Sequence, residues 1–222
     1  MILTHGSNSI SRVTQTYVTI GGRQYKTVTI GNQLWLAVNL DYKFQVDGSQ
    51  LPIGVSGTPS TPSAWYYNND EATYGVDGNR YGLLYNWYAA KYLEDNKSTL
   101  LPEGWHVPTN DEITQLFNSA GGISNCGYNL RSVDGWNAPS YSGIDIYGFN
   151  GVPSGCMYSP WGSNEIKFRY VGDYFEIHSI TYIDGNPCSF YTYGPFGYEF
   201  RMNNFDSISR YGYSIRLVKD VT

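Results

Sequence analysis

LPEGWHVPTNDEITQLFNSAGG, residues 101–122, carries the clearest structural instruction in the chain. Thr109 followed three residues later by Glu112 is a capping box. The threonine hydroxyl accepts the backbone N–H of the third helical residue, and the glutamate carboxylate accepts the N–H of the cap. Asp111 and Glu112 also put negative charge at the positive end of the helix dipole. Ile113, Leu116, Phe117 and Ala120 recur at helical spacing and form one apolar face. Val107 stands just outside, where a hydrophobic staple to Ile113 fits, and Gly121 and Gly122 supply the stop. The spacing therefore predicts a short amphipathic helix over 109–120, entered past Trp105 and His106. A helix this short, in a chain rich in Tyr, Gly, Asn and Thr, has to cover a sheet or a loop-rich core.

Working outward towards the N-terminus, residues 82–93, GLLYNWYAAKYL, read as a second helix with Leu84, Trp87, Tyr88 and Tyr92 on a wide apolar stripe. Residues 47–63 are dominated by Gly, Pro and Ser and read as a long loop. Trp65, Tyr66 and Tyr67 end that loop against the body, and residues 68–77 form an acidic turn. Further back, residues 17–20, 23–30 and 33–39 alternate in polarity, punctuated by Gly21-Gly22 and Gly31-Asn32. They predict an antiparallel meander. Residues 1–15 are polar and aperiodic and read as a tail, leaving 16–222 as a single domain.

Towards the C-terminus the helical signals stop after Gly122. Trp136, Ile144, Ile146, Phe149 and Val152 lie among Gly, Ser, Asn and Pro, which predicts irregular loop structure pinned by buried aromatics. Short alternating runs return at 168–171, 174–180, 188–193, 198–202 and 213–219. In the last, Ile215 and Leu217 are expected inward and Ser214 and Arg216 outward. Strands, two helices, then loops and short strands predict an α+β domain.

The bulk composition excludes several classes. The net charge of −5 leaves no basic footprint for nucleic acid. No apolar run approaches the ~18 residues of a membrane helix, and MILTHGSNSISR lacks the basic and apolar regions of a signal peptide. Cys126, Cys156 and Cys188 are an odd set without metal-ligand or CxxC spacing and read as incidental thiols. Charged residues make up 15 %, while the chain holds 22 tyrosines and 25 glycines. Tyr with Gly, Ser and Asn is the chemistry of binding surfaces, rigid amphipathic area joined to adaptable hydrogen bonding. Tyr also favours strands, so a β-rich protein would carry the same excess.

Five blocks in order, YKTVTIGNQLWLAVNL, YGLLYNWYAA, LPEGWHVPTNDEITQL, YGFNGVPSG and GYSIRLVKD, give the chain a resemblance to the Fibrobacter succinogenes major paralogous domain family from residue 25 to 220. That family is similar to the C-type-lectin-like and formylglycine-generating-enzyme folds. The resemblance implies a loop-rich α+β domain with neighbouring N- and C-terminal strands and two helices flanking small sheets. Proteins with such domains include variable proteins of diversity-generating retroelements in gut bacteria of the Bacteroides type and their phages. There, adenine mutagenesis rewrites codons near the C-terminus, so variable positions carry Asn, Tyr, Ser, Asp, His, Cys, Phe or Ile.

On that resemblance the expected variable surface is His178, Tyr182, Asp184, Asn186, Ser189, Tyr191, Tyr193, Asn203, Asn204, Asp206, Ser207, Ser209 and Tyr211. Tyr170, Tyr174 and Tyr198 are expected as packing. No catalytic residues and no cofactor are expected. A formylglycine-type oxidase, the remote alternative, needs a cysteine pair that Cys188 does not supply. Calcium is the weak metal candidate, on Asp70, Glu71 and Asp77, with a solvated acidic turn as the ordinary reading. The function expected is display of a ligand-binding surface on a phage tail or bacterial surface protein, against a protein or glycan on a bacterial cell. An invariant adhesin or structural module is the alternative. Neither nucleic acid nor membrane insertion enters as a partner.

Overall fold

The computed structural model describes residues 16–43, 45–57, 60–75, 81–194, 200–204 and 210–221, so the expected tail, 1–15, lies outside the described residues. The opening meander forms as expected. β1 (Thr16–Ile20), β2 (Arg23–Ile30) and β3 (Gln33–Leu36) pair antiparallel in sequence order. A fourth strand from the far end of the chain, Val218–Asp220, completes that sheet by pairing Trp35 with Val218.

The fold class corrects the α+β expectation. The described chain is mostly β, in three antiparallel sheets with few helices, and lacks the two-helix layout that the C-type-lectin-like resemblance implies. The second sheet has the order β4 (Ala64–Trp65), β5 (Leu84–Asn86), β11 (Tyr211–Tyr213), β6 (Ser154–Tyr158), β7 (Lys167–Val171). The third has the order β10 (Phe200–Asn204), β9 (Asn186–Tyr193), β8 (Tyr174–Ile183). The strand Val218–Asp220 is β12.

The helices are α1 (Glu71–Tyr74), α2 (Trp87–Asp95), α3 (Lys97–Leu100), α4 (Asn110–Ser119) and α5 (Cys126–Leu130). The expected helix over 82–93 is split. Leu84 to Asn86 are taken as a strand between β4 and β11, because cross-strand pairing with Tyr213 and Gly212 overrides the helical stripe. Asn86 then caps α2, its side-chain oxygen accepting the Ala89 N–H at 2.9 Å.

The capping box on α4 is present. Thr109 Oγ1 accepts the Glu112 N–H at 3.2 Å, and Glu112 Oε2 accepts the Thr109 N–H at 2.8 Å. The other carboxylate oxygen meets His106 Nε2 at 2.6 Å, and His106 Nδ1 lies 3.0 Å from the Gly104 carbonyl. That pairing raises the His106 pKa. Burial pulls Glu112 upward, but hydrogen bonds from His106 and Thr109 outweigh it and leave its pKa lowered. His106 is thus a positioning residue for the helix entry.

Ile113, Leu116 and Phe117 of α4 are buried with Trp35, Phe149, Phe175, Ile177, Phe190 and Val218, so the helix clamps the first sheet to the third. A second cluster, including Tyr25, Leu36, Tyr85, Leu93, Trp105, Ile215 and Leu217, joins the first sheet to α2.

Three local expectations are corrected. Residues 123–166 are not wholly irregular, since they hold α5 and β6. Phe149 is buried as expected, but the other aromatic, Trp136, is only half-buried. Finally, Ser214 and Arg216 point inward, each fully buried like Ile215 and Leu217, because the chain between β11 and β12 leaves the strand pattern. Arg216 donates to Asn39 Oδ1 at 2.7 Å and to the carbonyls of Leu36, Phe149 and Asn150 at 3.1, 2.5 and 2.6 Å. Burial lowers its pKa to about 9. Among the described residues no helix is long and apolar enough to cross a membrane.

Candidate functional site

Strand periodicity builds the candidate site. In β8, Phe175 and Ile177 face the core, so Tyr174, Glu176 and His178 must face the other way. The antiparallel register sets Tyr193 opposite Tyr174, Tyr191 opposite Glu176 and Ser189 opposite His178, all on that same face. The face turns towards β6, β7 and β11 and closes a cleft of about 160 Å³ with Cys156, Arg169, Tyr170, Tyr211 and Tyr213.

The cleft is aromatic and stacked. Tyr174 lies 4.4 Å from Tyr170, 5.4 Å from Tyr191 and 4.2 Å from Tyr193, ring centre to ring centre, with interplanar angles under 30°. Tyr211 stacks on Tyr213 at 5.9 Å. The Arg169 guanidinium sits over Tyr158, Tyr170 and Tyr211 at 4.3, 4.8 and 5.6 Å. Beyond Tyr158, Trp161 is 82 % exposed with Arg210 over its ring at 4.4 Å.

Backbone geometry holds the cleft open. Tyr170 has φ +69°, a conformation that a bulky residue rarely adopts. It lies in the β6–β7 pairing between Ser154↔Val171 and Cys156↔Arg169, opposite Gly155, itself at φ +65°. A Cβ on Gly155 would come within 2.5 Å of the Arg169 carbonyl oxygen and 2.6 Å of the Val171 nitrogen. Gly155 is what lets this strand pair pinch and turn the Tyr170 ring outward over Tyr174.

The electrostatics favour fixed charges rather than a reactive group. Glu176 is buried and accepts a 2.6 Å hydrogen bond from Ser189 Oγ. Burial, helped by Glu176, pushes the Cys156 thiol up to about 12, so it stays protonated. All three cysteines are buried thiols outside any disulfide. Burial and its tyrosine neighbours also raise the Tyr174 pKa. The Tyr174 hydroxyl therefore remains both donor and acceptor at neutral pH.

The residues expected from the sequence divide into five groups. Tyr191, Tyr193 and Tyr211 meet at the cleft. Tyr182, Asp184 and Asn186 lie at the far end of the β8–β9 hairpin, where Tyr182 packs edge-on against Trp87 at 4.7 Å and Asp184 turns at φ +53°. His178 and Ser189 lie between them and are buried: His178 Nε2 donates to the Tyr85 carbonyl at 2.7 Å, and Ser189 serves Glu176. In β10, Asn203 pairs with Ser189 and Asn204 with Cys188. Asp206, Ser207 and Ser209 lie outside the described residues.

Sequence reasoning missed Arg169, Tyr158, Trp161 and the site role of Tyr170 and Tyr174. Strict alternation along KFRYV of β7 would set Arg169 and Tyr170 on opposite faces, whereas Tyr170 at φ +69° brings both to the cleft. The placement of Arg169 across from Cys156 was invisible without the pairing.

The calcium candidates are engaged elsewhere. Asp70 caps α1 by accepting the Thr73 N–H at 3.0 Å, and Glu71 pairs with Lys43 at 2.8 Å and with the Tyr66 hydroxyl at 2.9 Å. Asp77 lies outside the described residues, among which no group of three or more His, Cys, Asp or Glu side chains could hold a metal.

A family model described as the Fibrobacter succinogenes major domain matches residues 28–219. Neither the curated proteins nor the solved structures compared with the chain gave a match.

Proposed function

The chain belongs to the Fibrobacter succinogenes major domain family, and from that premise we propose that it is a surface-displayed, non-enzymatic binding domain whose ligand meets the tyrosine face around Arg169. One observation carries the reading: Tyr170, Tyr174 and Tyr191 line one cleft together with the Arg169 guanidinium, their rings stacked about Tyr174 with Tyr193 added to the stack. Aromatic rings on paired strands give large contact area with little rotamer entropy to lose. Their hydroxyl tips supply hydrogen bonds that fix a partner's orientation. The protonated Cys156 thiol and the burial of all three cysteines speak against thiol chemistry of the formylglycine type.

The partner in this reading is a protein or glycan on a bacterial cell, and the carrier is a phage tail or bacterial surface protein. Sequence diversification fits best at Tyr182, Asp184, Asn186, Tyr191, Tyr193 and Tyr211. A change at His178 or Ser189 would have to be accommodated inside the fold.

The test is binding of the labelled protein to bacterial cells from the carrier's community, compared with Tyr174→Ala and Tyr191→Ala. A loss of tenfold or more in both variants, with unchanged melting, supports the reading; a tenfold change is about 1.4 kcal/mol, within the range for one aromatic contact. Undiminished cell binding by both variants removes the tyrosine face from the function. Sequencing the 3′ end of the gene across carriers then decides whether the face is diversified or constant.

A further inference from the structure

We propose that the ligand of the tyrosine cleft is an acidic saccharide, a sugar ring bearing a carboxylate of the uronate or sialate kind, and that Arg169 reads its charge. The inference rests on the binding reading above and names the class of ligand.

Arg169 differs from the other buried or half-buried arginines in what it donates to. Arg216 reaches four oxygens, Arg131 reaches Thr192 and the Tyr141 carbonyl, Arg23 pairs with Asp41, and Arg210 reaches the Pro160 carbonyl. Arg169 is held by ring faces and lies beside the Cys156 thiol. Its Nε–H is buried without a hydrogen-bond partner. Among the described residues no carboxylate forms an ion pair with it. A guanidinium that lines a cleft with no carboxylate paired to it presents its fork to a planar anionic acceptor such as a carboxylate.

The rest of the cleft selects what carries that carboxylate. At about 160 Å³ it is smaller than the roughly 300–1,000 Å³ of pockets that enclose a whole small molecule. It therefore takes one ring, with the remainder of the ligand lying outside. Tyrosine faces suit the apolar C–H face of a pyranose, and their hydroxyls suit its rim of OH groups. Trp161, exposed next along the surface under Arg210, offers a platform for a neighbouring ring.

The test is a glycan array carrying uronate- and sialate-terminated oligosaccharides, their methyl esters and neutral counterparts, together with N-acetylglutamate as a peptide-type carboxylate in solution competition. The expected result is binding to the free acids at least tenfold tighter than to their esters, with the preference erased in Arg169→Gln and partly restored in Arg169→Lys. The acid–ester contrast on the unmodified protein stands even if Arg169→Gln does not fold. Equal binding of acid and ester, or a preference that survives in folded Arg169→Gln, overturns the proposal. Competition by N-acetylglutamate as strong as by the free sugar acid also overturns it, in favour of a peptide ligand. An array without acidic hits overturns it too; the tyrosine face is then judged by the cell-binding comparison of Tyr174→Ala, which needs no acidic glycan.

Discussion

His178 makes the stability of this protein sensitive to acid. Its ring is 2 % exposed, edge-on to Tyr213 at 5.2 Å, with Nε2 donating to the Tyr85 carbonyl at 2.7 Å. Burial pushes its pKa down to about 4, against the partial support of that carbonyl. The folded protein therefore keeps His178 neutral through a range in which the unfolded chain binds a proton. Stability rises with pH wherever the unfolded state holds more protons, so it is lost as pH falls from about 6.5 towards 4. With those two pKa values the loss is roughly 2 kcal/mol at about pH 5, a sizeable fraction of the ~5–15 kcal/mol that holds a domain folded. His106 does not offset this. Its raised pKa gives stability that is complete below its unfolded value and is lost only as pH rises through its folded one. Asp145, raised by burial, opposes the trend at the acid end. The assay is urea unfolding across this pH range at constant m-value, with His178→Gln as comparison. Gln retains an N–H for the Tyr85 carbonyl and does not titrate, so the acid slope flattens in the variant. Identical slopes in the two proteins, or a His178 resonance titrating at an ordinary histidine value, would refute the reasoning.

Gly155→Ala is expected to lose about 2 kcal/mol or more, since it adds a left-handed backbone penalty to a 2.5 Å approach to the Arg169 carbonyl. Thermal melting reads that loss, and a neutral result would mean that the β6–β7 pinch is not constrained. Arg216→Met leaves the Asn39, Leu36, Phe149 and Asn150 oxygens without their donor and should destabilise by about 3–5 kcal/mol in urea titrations. An unchanged midpoint would show that those oxygens find other donors. Thr109→Ala removes one half of the capping box and should cost about 1 kcal/mol, with hydrogen exchange accelerating first at the start of α4. Exchange that stays as slow as in the parent protein would place the stability of that helix wholly in its packing.

Where the chain's local chemistry and its tertiary role agree, the sequence was sufficient. The capping box at Thr109 and Glu112 and the Gly-Asn turn before Gln33 both appear as their spacing dictates. Where a partner from elsewhere in the chain decides, it was not. Leu84 to Asn86 carry a helical stripe, yet they fill the gap beside β4 and β11 as a strand. Arg216 looks like an outward-facing charge on an alternating strand. It is buried because carbonyls from distant segments converge on its guanidinium, a pattern no local window contains. The site was legible in the same partial way. Tyr191, Tyr193 and Tyr211 stood out by composition, whereas Tyr170, Tyr174 and Arg169 join them through pairings between strands well separated in sequence. His178 was the reverse case, a residue type typical of a variable surface held inside the protein.

The sheet that β12 completes has a kinetic consequence. Arg216, just ahead of that strand, bonds the Leu36 carbonyl across 180 residues of chain, and β12 itself pairs with β3. The entropy of closing so long a loop grows only with the logarithm of its length, so equilibrium stability is little affected. The rate is affected, because contacts this distant in sequence form late and place such topologies among the slow folders. During synthesis the three-stranded meander emerges early and waits with the open edge of β3 exposed, able to pair with any other strand. The interval before residues 216–220 arrive is therefore when this chain is most prone to aggregate. Slowing translation after the codon for Leu36 should lengthen that interval, whereas faster release of the final strand should shorten it.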